Sequence, residues 1–333
     1  MKVLIDSGPL NSPHAVRGVG TYTRELINAL KIEGKDIKKE DLGKYDVVHF
    51  TSFKPFEISL PLSKPAKTKF ILTIYDLIPL IYPKHYPSGI KGKINWEINK
   101  LLIKKYIDAV ITISETSKKD IARFIGVNPK KIFVTYLAPQ TISQKRDEKE
   151  VAKEYNLPAK YALYVGDINY NKNIPVLVDA CRLANIPLVL AGRQAREVET
   201  MNLDHPELRH LKNIDWSGTI RTGFVPEEDL GAIYSLAAVY VQPSFYEGFG
   251  LPVLEAFSAG VPVVAAKTQA LVEIGETSAL FADPENPGDF AEKIKKVVSD
   301  ERVRNDLISS GKKTAEKFSW AKTAKETYKI YEQ

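Results

Sequence analysis

Cysteine is almost absent from this sequence, and so are long hydrophobic runs. Cys181 is the one cysteine among 333 residues, so an intramolecular disulfide is excluded, and no Cys and His residues show metal-ligand spacing. No stretch approaches the roughly 20 apolar residues that a membrane-spanning helix needs. Asp6 interrupts the apolar run that a secretory signal would require. These absences predict a protein of the reducing cytoplasm.

The residues that are present give an ordinary globular composition, with 44% hydrophobic and 26% charged residues. Such a composition excludes a disordered or collagen-like chain. A length of 333 residues exceeds one ordinary domain and suits two domains that each bury a core. Because ligand sites favour domain interfaces, we expect a functional cleft between the two domains.

Positive charge is concentrated in the first half of the chain. The net charge is +6, yet residues 1–150 hold 26 Lys and Arg against 16 Asp and Glu, a balance of +10. An anionic ligand is therefore expected for this half, and a phosphorylated lipid or an anionic membrane surface stays open. A solvated lysine-rich surface is the alternative. Nucleic acid is not expected, because no nucleic-acid-binding motif accompanies the charge.

Short β-branched runs alternate with helical patterns, which predicts βαβ units and parallel sheets. Strands are predicted at residues 3–5, 47–50, 70–74, 109–113, 132–136, 161–165, 188–191, 239–241 and 261–264. Helices are predicted at residues 20–31, 90–107, 117–125, 251–259 and 318–333. Residues 140–151 lack apolar periodicity and are the candidate linker. Doubly wound halves of this kind bind ligands at the carboxyl ends of their strands.

The segment after the predicted strand at residues 239–241 has the pattern of an anion site. Gly248 and Gly250 let the backbone approach a ligand closely. Pro252 suits the first turn of a helix. We expect the N–H groups of residues 249–253 to be free and to carry partial positive charge.

Two carboxylates flank this helix start. Glu247 precedes the helix, and Glu255 is predicted to lie in its first turn. Carboxylates beside an anion site are costly unless they accept hydrogen bonds from ligand hydroxyls. For Glu255 the alternative is a favourable interaction with the helix dipole, worth about 0.3 to 1 kcal/mol.

The segment EGFGLPVLEAFSAGVPVVA, which begins at Glu247, resembles the signature of the family 4 glycosyltransferases. Further segments resemble this family in order: RGVGTYTREL (17–26), DLIPLIYP (76–83), ISETSKKDI (113–121), YVGDINYNKNI (164–174), LVLAGR (188–193) and TGFVPEEDLGAIYSLA (222–237). The resemblance covers nearly the whole chain and is greatest to mannosyltransferase-type members. It implies an α/β protein of GT-B fold, with two facing Rossmann-like doubly wound domains and the active site in their cleft. The acceptor domain would comprise residues 1–145 and 318–333, and the nucleotide-sugar domain residues 150–317.

The resemblance also implies roles for individual residues. Those implied in catalysis are Glu247, Lys172, Tyr75 and Asp76. Those implied in donor binding are Gly18, Gly20, Gly166, Arg193, Phe224, Val225, Gly248, Phe249, Gly250, Leu251 and Glu255. In the family, the lysine that corresponds to Lys172 neutralises the departing diphosphate. The glutamate that corresponds to Glu247 contacts the transferred sugar, and the one that corresponds to Glu255 binds the ribose. The base stacks on the loop that contains Phe224. Without the resemblance, Lys172 would be a solvated lysine and Phe224 a core residue.

Two positions depart from the family pattern. Tyr75 stands where the family usually has a histidine that contacts the transferred sugar. Either its hydroxyl replaces that contact or the enzyme is impaired. Asn171 stands where an arginine often precedes the lysine, and Arg193 is a candidate for the missing charge. His49, at the end of a predicted strand, faces either the cleft or the core.

The reaction implied by the resemblance is transfer of a hexose, of mannose or glucose type, with retention of configuration. The donor would be a nucleotide-diphosphate sugar such as GDP-mannose or UDP-glucose, and the acceptor a hydroxyl of a saccharide or lipid-linked molecule. No metal and no cofactor is expected, since no Asp-X-Asp motif lies in a suitable place. A catalytically weak relative that binds nucleotide-sugar and acts as a partner or regulator is the alternative.

Peripheral association with the inner face of the membrane is a further possibility. The predicted helix at residues 90–107 has Lys93, Lys100 and Lys104 beside apolar residues, a pattern compatible with an anionic bilayer. A second apolar stripe that includes Ile94 favours instead a helix packed on the sheet with a basic exposed edge.

Overall fold

A computed structural model describes residues 1–12, 18–32, 34–140 and 146–333. The chain forms two compact units, of which the first contains residues 1–138 and 318–333 and the second contains residues 139–317. Among the described residues, no helix is long and apolar enough to span a bilayer.

The segment predicted as a linker, residues 140–151, contains the start of a helix. Residues 141–145 lie outside the described residues. At residue 147 an aspartate caps the helix: its carboxylate accepts hydrogen bonds from the N–H groups of Lys149, at 2.9 Å, and Glu150, at 3.2 Å. Val151 is fully buried. The prediction of a linker was therefore wrong for residues 148–151, because one apolar side chain in a charged segment gives no periodicity.

The first unit contains a sheet of six parallel strands in the order β2-β1-β3-β4-β5-β6. Its elements up to residue 138 are β1 (Val3–Asp6), α1 (Gly18–Leu30), β2 (Gly34–Lys35), β3 (Val47–Phe50), β4 (Lys69–Thr73), α2 (Ile78–Ile81), α3 (Gly89–Tyr106), β5 (Ala109–Thr112), α4 (Glu115–Ile125) and β6 (Ile132–Val134).

The second unit contains a sheet of six parallel strands in the order β12-β11-β10-β7-β8-β9. Its elements are α5 (Glu148–Glu154), β7 (Ala162–Val165), α6 (Ile174–Ala184), β8 (Leu188–Ala191), α7 (Arg193–Glu197), β9 (Thr219–Gly223), α8 (Glu227–Ser235), β10 (Val239–Gln242), α9 (Leu251–Ser258), β11 (Val263–Ala266), α10 (Gln269–Gly275), β12 (Ala279–Ala282), α11 (Pro287–Ser299) and α12 (Glu301–Ala315). The last helix, α13 (Trp320–Glu332), returns to the first unit.

All nine strands predicted from the sequence are present, with ends that shift by at most two residues. The three strands that the sequence analysis missed, β2, β9 and β12, all lie at sheet edges. An edge strand is covered on fewer sides, so it needs no continuous apolar run. The sequence TIRTG of β9, with three half-buried residues, illustrates this weak signal.

Both faces of the central strands in the first unit are buried. Val48, Phe70 and Leu72 contribute to a core with α3 and α4. The alternate residues, such as Val47 and Ile71, pack with Ile330 and Tyr331 of α13 on the other face. Successive side chains of a strand point to opposite faces, so α13 completes the hydrophobic cover of this sheet.

His49 anchors α13 through a buried polar network. Its Nδ1 lies 2.6 Å from the Tyr331 hydroxyl, and its Nε2 lies 2.7 Å from Thr73 Oγ1. The Tyr22 hydroxyl is 3.2 Å from the same Thr73 oxygen. His49 is fully buried, so it faces the core, which was the second of the two alternatives. Burial lowers the pKa of His49 to about 3.

This pKa predicts an acid-dependent loss of stability. The folded protein holds His49 neutral, whereas the unfolded chain protonates it near its ordinary pKa of 6.5. The stabilisation that comes from a neutral His49 is therefore complete above that pH. As the pH falls towards 3, the free energy of unfolding decreases by about 1.4 kcal/mol per pH unit. Urea unfolding at about pH 7.5 and pH 5.5 should show this loss, and a His49→Gln variant should lack that component. An equal pH dependence in both proteins would contradict the prediction.

Candidate functional site

The order of strands in the second unit creates a crevice between two neighbouring strands. From β7 the chain proceeds outward through β8 and β9, and it then returns to the other side of β7 with β10. The loops after β7 and β10 therefore leave adjacent strands in opposite directions. Ligands of open α/β sheets bind at such a switch point, outside the carboxyl ends of the strands.

Two asparagines join these two loops. The side chain of Asn171 donates to the carbonyl oxygen of Tyr246 at 3.0 Å, and Phe245 N–H donates to the carbonyl oxygen of Asn171 at 2.9 Å. Asn173, in the left-handed region at φ 54°, donates to the carbonyl oxygen of Pro243 at 3.1 Å. Residue 171, where the family often has arginine, thus contacts the opposite loop. Lys172, between the two asparagines, is held against the loop after β10.

Lys172 forms an ion pair with Glu247 at this switch point. Its Nζ lies 2.8 and 2.9 Å from the two carboxylate oxygens. The side chains are 22% and 10% exposed, respectively. Removing either partner would leave a largely desolvated charge, which is costly. The two residues that the sequence analysis placed nearest to the reacting centre are therefore in direct contact.

Three further residues orient the Glu247 carboxylate. Ser244 Oγ donates to Glu247 Oε1 at 2.6 Å, and Gln242 Nε2 donates to the same oxygen at 2.8 Å. The Tyr240 hydroxyl donates to Gln242 Oε1. These residues alternate along the end of β10, so one face of this strand is polar. They were not predicted as site residues from the sequence, although polar side chains at every second position were a usable signal.

The start of α9 provides fewer free N–H groups than predicted. Val253 N–H donates to the carbonyl oxygen of Gly250 at 3.0 Å, and residue 252 is a proline, which has no N–H. The expectation of free groups through residue 253 was therefore wrong for its last two positions. Gly250 has φ 118°, and a Cβ there would lie 2.8 Å from Leu271, so the turn requires glycine. Gly248 and Phe249 are buried, whereas Leu251 is partly exposed.

Glu255 lies in the second turn of α9, not in its first turn as predicted. The dipole acts within the first turn, so the dipole alternative loses its basis. The Tyr234 hydroxyl donates to Glu255 Oε2 at 3.0 Å. Burial raises the pKa of Glu255, and the hydrogen bond from Tyr234 opposes that rise. Tyr234 also packs on Tyr240, with ring centroids 5.8 Å apart, so aromatic residues link the surroundings of the two carboxylates.

The other donor-binding candidates of the second unit lie after β7, β8 and β9. Phe224 is 59% exposed, so its interpretation as a core residue is wrong. It directly precedes Val225 in the loop after β9. Arg193 begins α7 and donates to Glu197 at 2.9 Å, and its side chain is 76% exposed. Gly166 follows β7, and its N–H donates to the carbonyl oxygen of Ala191 at 3.0 Å.

The candidates of the first unit lie near the carboxyl ends of β1, β3 and β4. Gly18 begins α1, and Gly20 is buried in the first turn; Arg17 of the matching segment lies outside the described residues. The Tyr75 hydroxyl donates to the carbonyl oxygen of Thr51 at 2.6 Å. Burial raises the pKa of Tyr75 well above its usual range. Asp76 Oδ1 accepts a hydrogen bond from Ile78 N–H at 3.1 Å, at the start of α2.

The contact of Tyr75 with Thr51 limits what the Tyr75 hydroxyl could offer to a sugar, the role predicted for it from the sequence. The hydroxyl proton already has a partner, so in this conformation the oxygen can offer a ligand only a lone pair. A histidine at this position would have a second ring nitrogen for a ligand. No group of three or more His, Cys, Asp or Glu that could hold a metal ion occurs among the described residues.

Comparison with known proteins identifies the family. A model described as "Glycosyl transferases group 1" matches residues 145–314, and a second, "Glycosyltransferase Family 4", matches residues 34–138. O-antigen chain mannosyltransferase B of Escherichia coli is 31% identical over 272 residues, which cover 78% of this chain and 69% of that protein. Serotype-specific mannosyltransferase WbdA of Escherichia coli is 29% identical over 84% of this chain, which spans 36% of the WbdA length.

Among solved structures, Anabaena HepE in complex with UDP-glucose matches with a TM-score of 0.70 and 16% identity, and it covers 100% of both chains. This likeness shows the GT-B fold. The group 1 model spans half of this chain, and mannosyltransferase B is matched over more than two thirds of its length. This chain therefore belongs to the group 1 glycosyl transferases, as a family 4 glycosyltransferase of GT-B fold that resembles the mannosyltransferases.

Proposed function

We propose that this glycosyltransferase moves a hexose from a nucleotide-diphosphate sugar to a hydroxyl of a saccharide or lipid-linked acceptor, with retention of configuration. One observation carries the proposal: the Lys172–Glu247 ion pair lies at the switch point of the second unit, in the loops beside the start of α9. A lysine ammonium group, an oriented carboxylate and a helix N-terminus suit a ligand that combines a sugar with a diphosphate.

In this proposal the donor interacts with two carboxylates of the second unit, Glu247 and Glu255. Glu255 has one oxygen bonded to Tyr234, and its other oxygen can accept hydrogen bonds from ribose hydroxyls. Phe224 is exposed and can stack on the base. The relatives named mannosyltransferases favour a mannose donor, whereas HepE was solved with UDP-glucose. GDP-mannose and UDP-glucose are therefore the two donors to test first.

In the proposed reaction, the bond between the sugar C1 and the phosphate oxygen breaks, and the phosphate oxygen keeps the electron pair. Lys172 leaves its pairing with Glu247 partly to stabilise the new negative charge, together with the amides of Gly250 and Leu251. The acceptor oxygen forms its bond to C1 on the same face, and its proton moves to the departing phosphate. The protein contributes positioning and charge stabilisation.

Lys172 and the backbone amides would stabilise the negative charge of the leaving diphosphate, which a divalent cation does in metal-dependent enzymes. We therefore expect transfer without added metal. The cytoplasmic location stays a prediction. The alternative function, a catalytically weak protein that binds nucleotide-sugar and acts as a partner or regulator, rests on Tyr75. Its hydroxyl proton is engaged with Thr51, so the contact that the usual histidine makes with the sugar is incomplete.

The experiment is incubation of the protein with GDP-mannose or UDP-glucose in the presence of EDTA. Release of the nucleotide and the thermal stability of the protein are then measured. A bound donor at about 100 times its Kd should stabilise the protein by about 2.7 kcal/mol. Stabilisation with slow nucleotide release supports the transferase, and NMR of a glycoside formed with an added saccharide acceptor reports the anomeric configuration. Stabilisation without any release or transfer favours the weak relative. No stabilisation by any nucleotide-sugar would refute the donor site.

A further inference from the structure

The helix α3 is apolar on two opposite faces. One face packs against the first unit: Leu102 and Ile103 belong to the core, and Asn99 is fully buried. The side-chain amide of Asn99 donates to the carbonyl oxygens of Pro55, at 3.0 Å, and Glu57, at 2.7 Å. These contacts fix the orientation of α3 about its own axis, so the opposite face must point to solvent.

That opposite face carries three large aliphatic side chains. Ile90, Ile94 and Leu101 are 82%, 56% and 68% exposed, respectively. At 3.6 residues per turn they lie within about 40° of arc, almost opposite Asn99. We call these three residues the outer stripe of α3. Single exposed aliphatic residues are common, but an aligned set on the solvent side of a helix indicates an interaction surface.

Lysines flank the outer stripe on both sides. Helical geometry places Lys93 and Lys104 on one side and Lys91 and Lys105 on the other, and all four are exposed. The acidic residue of α3, Glu97, is paired with a fifth lysine, Lys100, at 2.8 Å. The four flanking lysines have no ion pair with any residue in the described part of the chain. The outer face therefore carries an aliphatic stripe between two rows of lysines, with Glu97 at one edge of the stripe and neutralised by Lys100.

We propose that the outer face of α3 docks the protein on an anionic lipid bilayer. The outer stripe inserts at the boundary between headgroups and acyl chains, and the flanking lysines contact lipid phosphates. This pattern is the one expected of a helix that lies in the plane of a membrane surface. A second copy of the chain is a poorer occupant, because a two-fold contact through this face would bring like charges together.

Sedimentation with vesicles tests the proposal on the full chain. The wild type should bind vesicles of phosphatidylcholine mixed with phosphatidylglycerol, bind phosphatidylcholine alone only weakly, and lose binding in high salt. A variant with Ile90→Ser, Ile94→Ser and Leu101→Ser should reduce binding at least ~10-fold. The control is Leu183→Ser in the other unit, since this leucine is 54% exposed. It should bind as the wild type does.

The test does not depend on catalysis, so its outcome is separate from that of the donor experiment. A second variant, Lys93→Glu with Lys104→Glu, retains the outer stripe and should reduce binding to anionic vesicles selectively. Failure of the wild type to bind anionic vesicles overturns the proposal, as does unchanged binding by the serine variant. A wild-type dimer that the serine substitutions dissociate, without vesicle binding, would assign the face to self-association instead.

Discussion

Replacing Lys172 by alanine should lower the turnover number by a factor of about 10² or more. The ammonium group is the positive charge held at the switch point of the second unit, and it contacts both oxygens of Glu247 at 2.8 and 2.9 Å. In the proposed reaction, a short movement of this side chain brings the ammonium group to the negative charge that forms on the departing diphosphate. Loss of an interaction made mainly in the transition state lowers kcat and kcat/KM together.

The measurement is steady-state transfer with the donor that passes the binding test. Lys160→Ala is the matched control, because this exposed lysine of the same unit donates to the carbonyl oxygen of Val298 at 3.2 Å and forms no ion pair with any described residue. It should leave turnover unchanged. Lys172→Arg retains the charge but not its position, so it should recover part of the activity. Turnover near that of the wild type in Lys172→Ala would remove this residue from the mechanism.

A structural effect of the Lys172 substitution must be measured separately. Glu247 is 10% exposed and would lose its cationic partner, so the folded state would be destabilised as well. Hydrogen bonds from Ser244 and Gln242 remain. Thermal unfolding of each variant therefore accompanies the kinetics, and turnover is compared well below the unfolding midpoint. A catalytic role predicts that turnover falls in fully folded protein.

Replacing Glu255 by glutamine should raise the donor KM by roughly 10-fold to 100-fold, with a much smaller change in kcat. The ribose lies away from the reacting bond, so its contacts contribute equally to ground state and transition state. Glutamine retains the size of the side chain but offers one acceptor oxygen instead of a carboxylate. An unchanged KM for the nucleotide-sugar would rule out ribose binding by Glu255.

The pH dependence gives a second measurement at Glu255. Burial raises its pKa, and only the ionised form accepts hydrogen bonds through both oxygens. Donor affinity should therefore be greatest above this raised pKa and should fall as the pH decreases through it. Tyr234→Phe removes the hydrogen bond that opposes the rise, so the acid limb of kcat/KM should move to higher pH.

Tyr155→Phe is the matched control for the tyrosine substitution. The Tyr155 hydroxyl also donates to a carboxylate of the same unit, Asp229, at 2.8 Å. Its removal should leave the acid limb unchanged. If both phenylalanine variants shift the profile equally, the effect arises from general loosening of the unit, and Tyr234 is not a positioning residue for Glu255.

The sequence predicted the interior of each sheet well and its edges poorly. The strands β7 and β8 are buried on both faces, so their apolar runs are continuous and easy to detect. The missed strands β2, β9 and β12 lie at sheet edges. An edge strand pairs with one neighbouring strand only and can form without a continuous apolar run. Local capping is also a short-range sequence signal: Ser114 Oγ accepts a hydrogen bond from Ser117 N–H at 2.9 Å at the start of α4.

The sequence by itself determined the α/β class, the eight inner strands and the edge strand β6, the family resemblance and the motif residues, because periodicity and spacing are local properties of a chain. The tertiary structure alone decided which side chains meet. Lys172 and Glu247 are 75 residues apart, and strand order brings them into contact. Packing likewise brings the Tyr234 hydroxyl into hydrogen-bond contact with Glu255. The buried side-chain amide of Asn99 sets the rotation of α3 about its own axis, which leaves an aliphatic stripe in solvent. Such contacts depend on packing between distant segments, which no local pattern encodes.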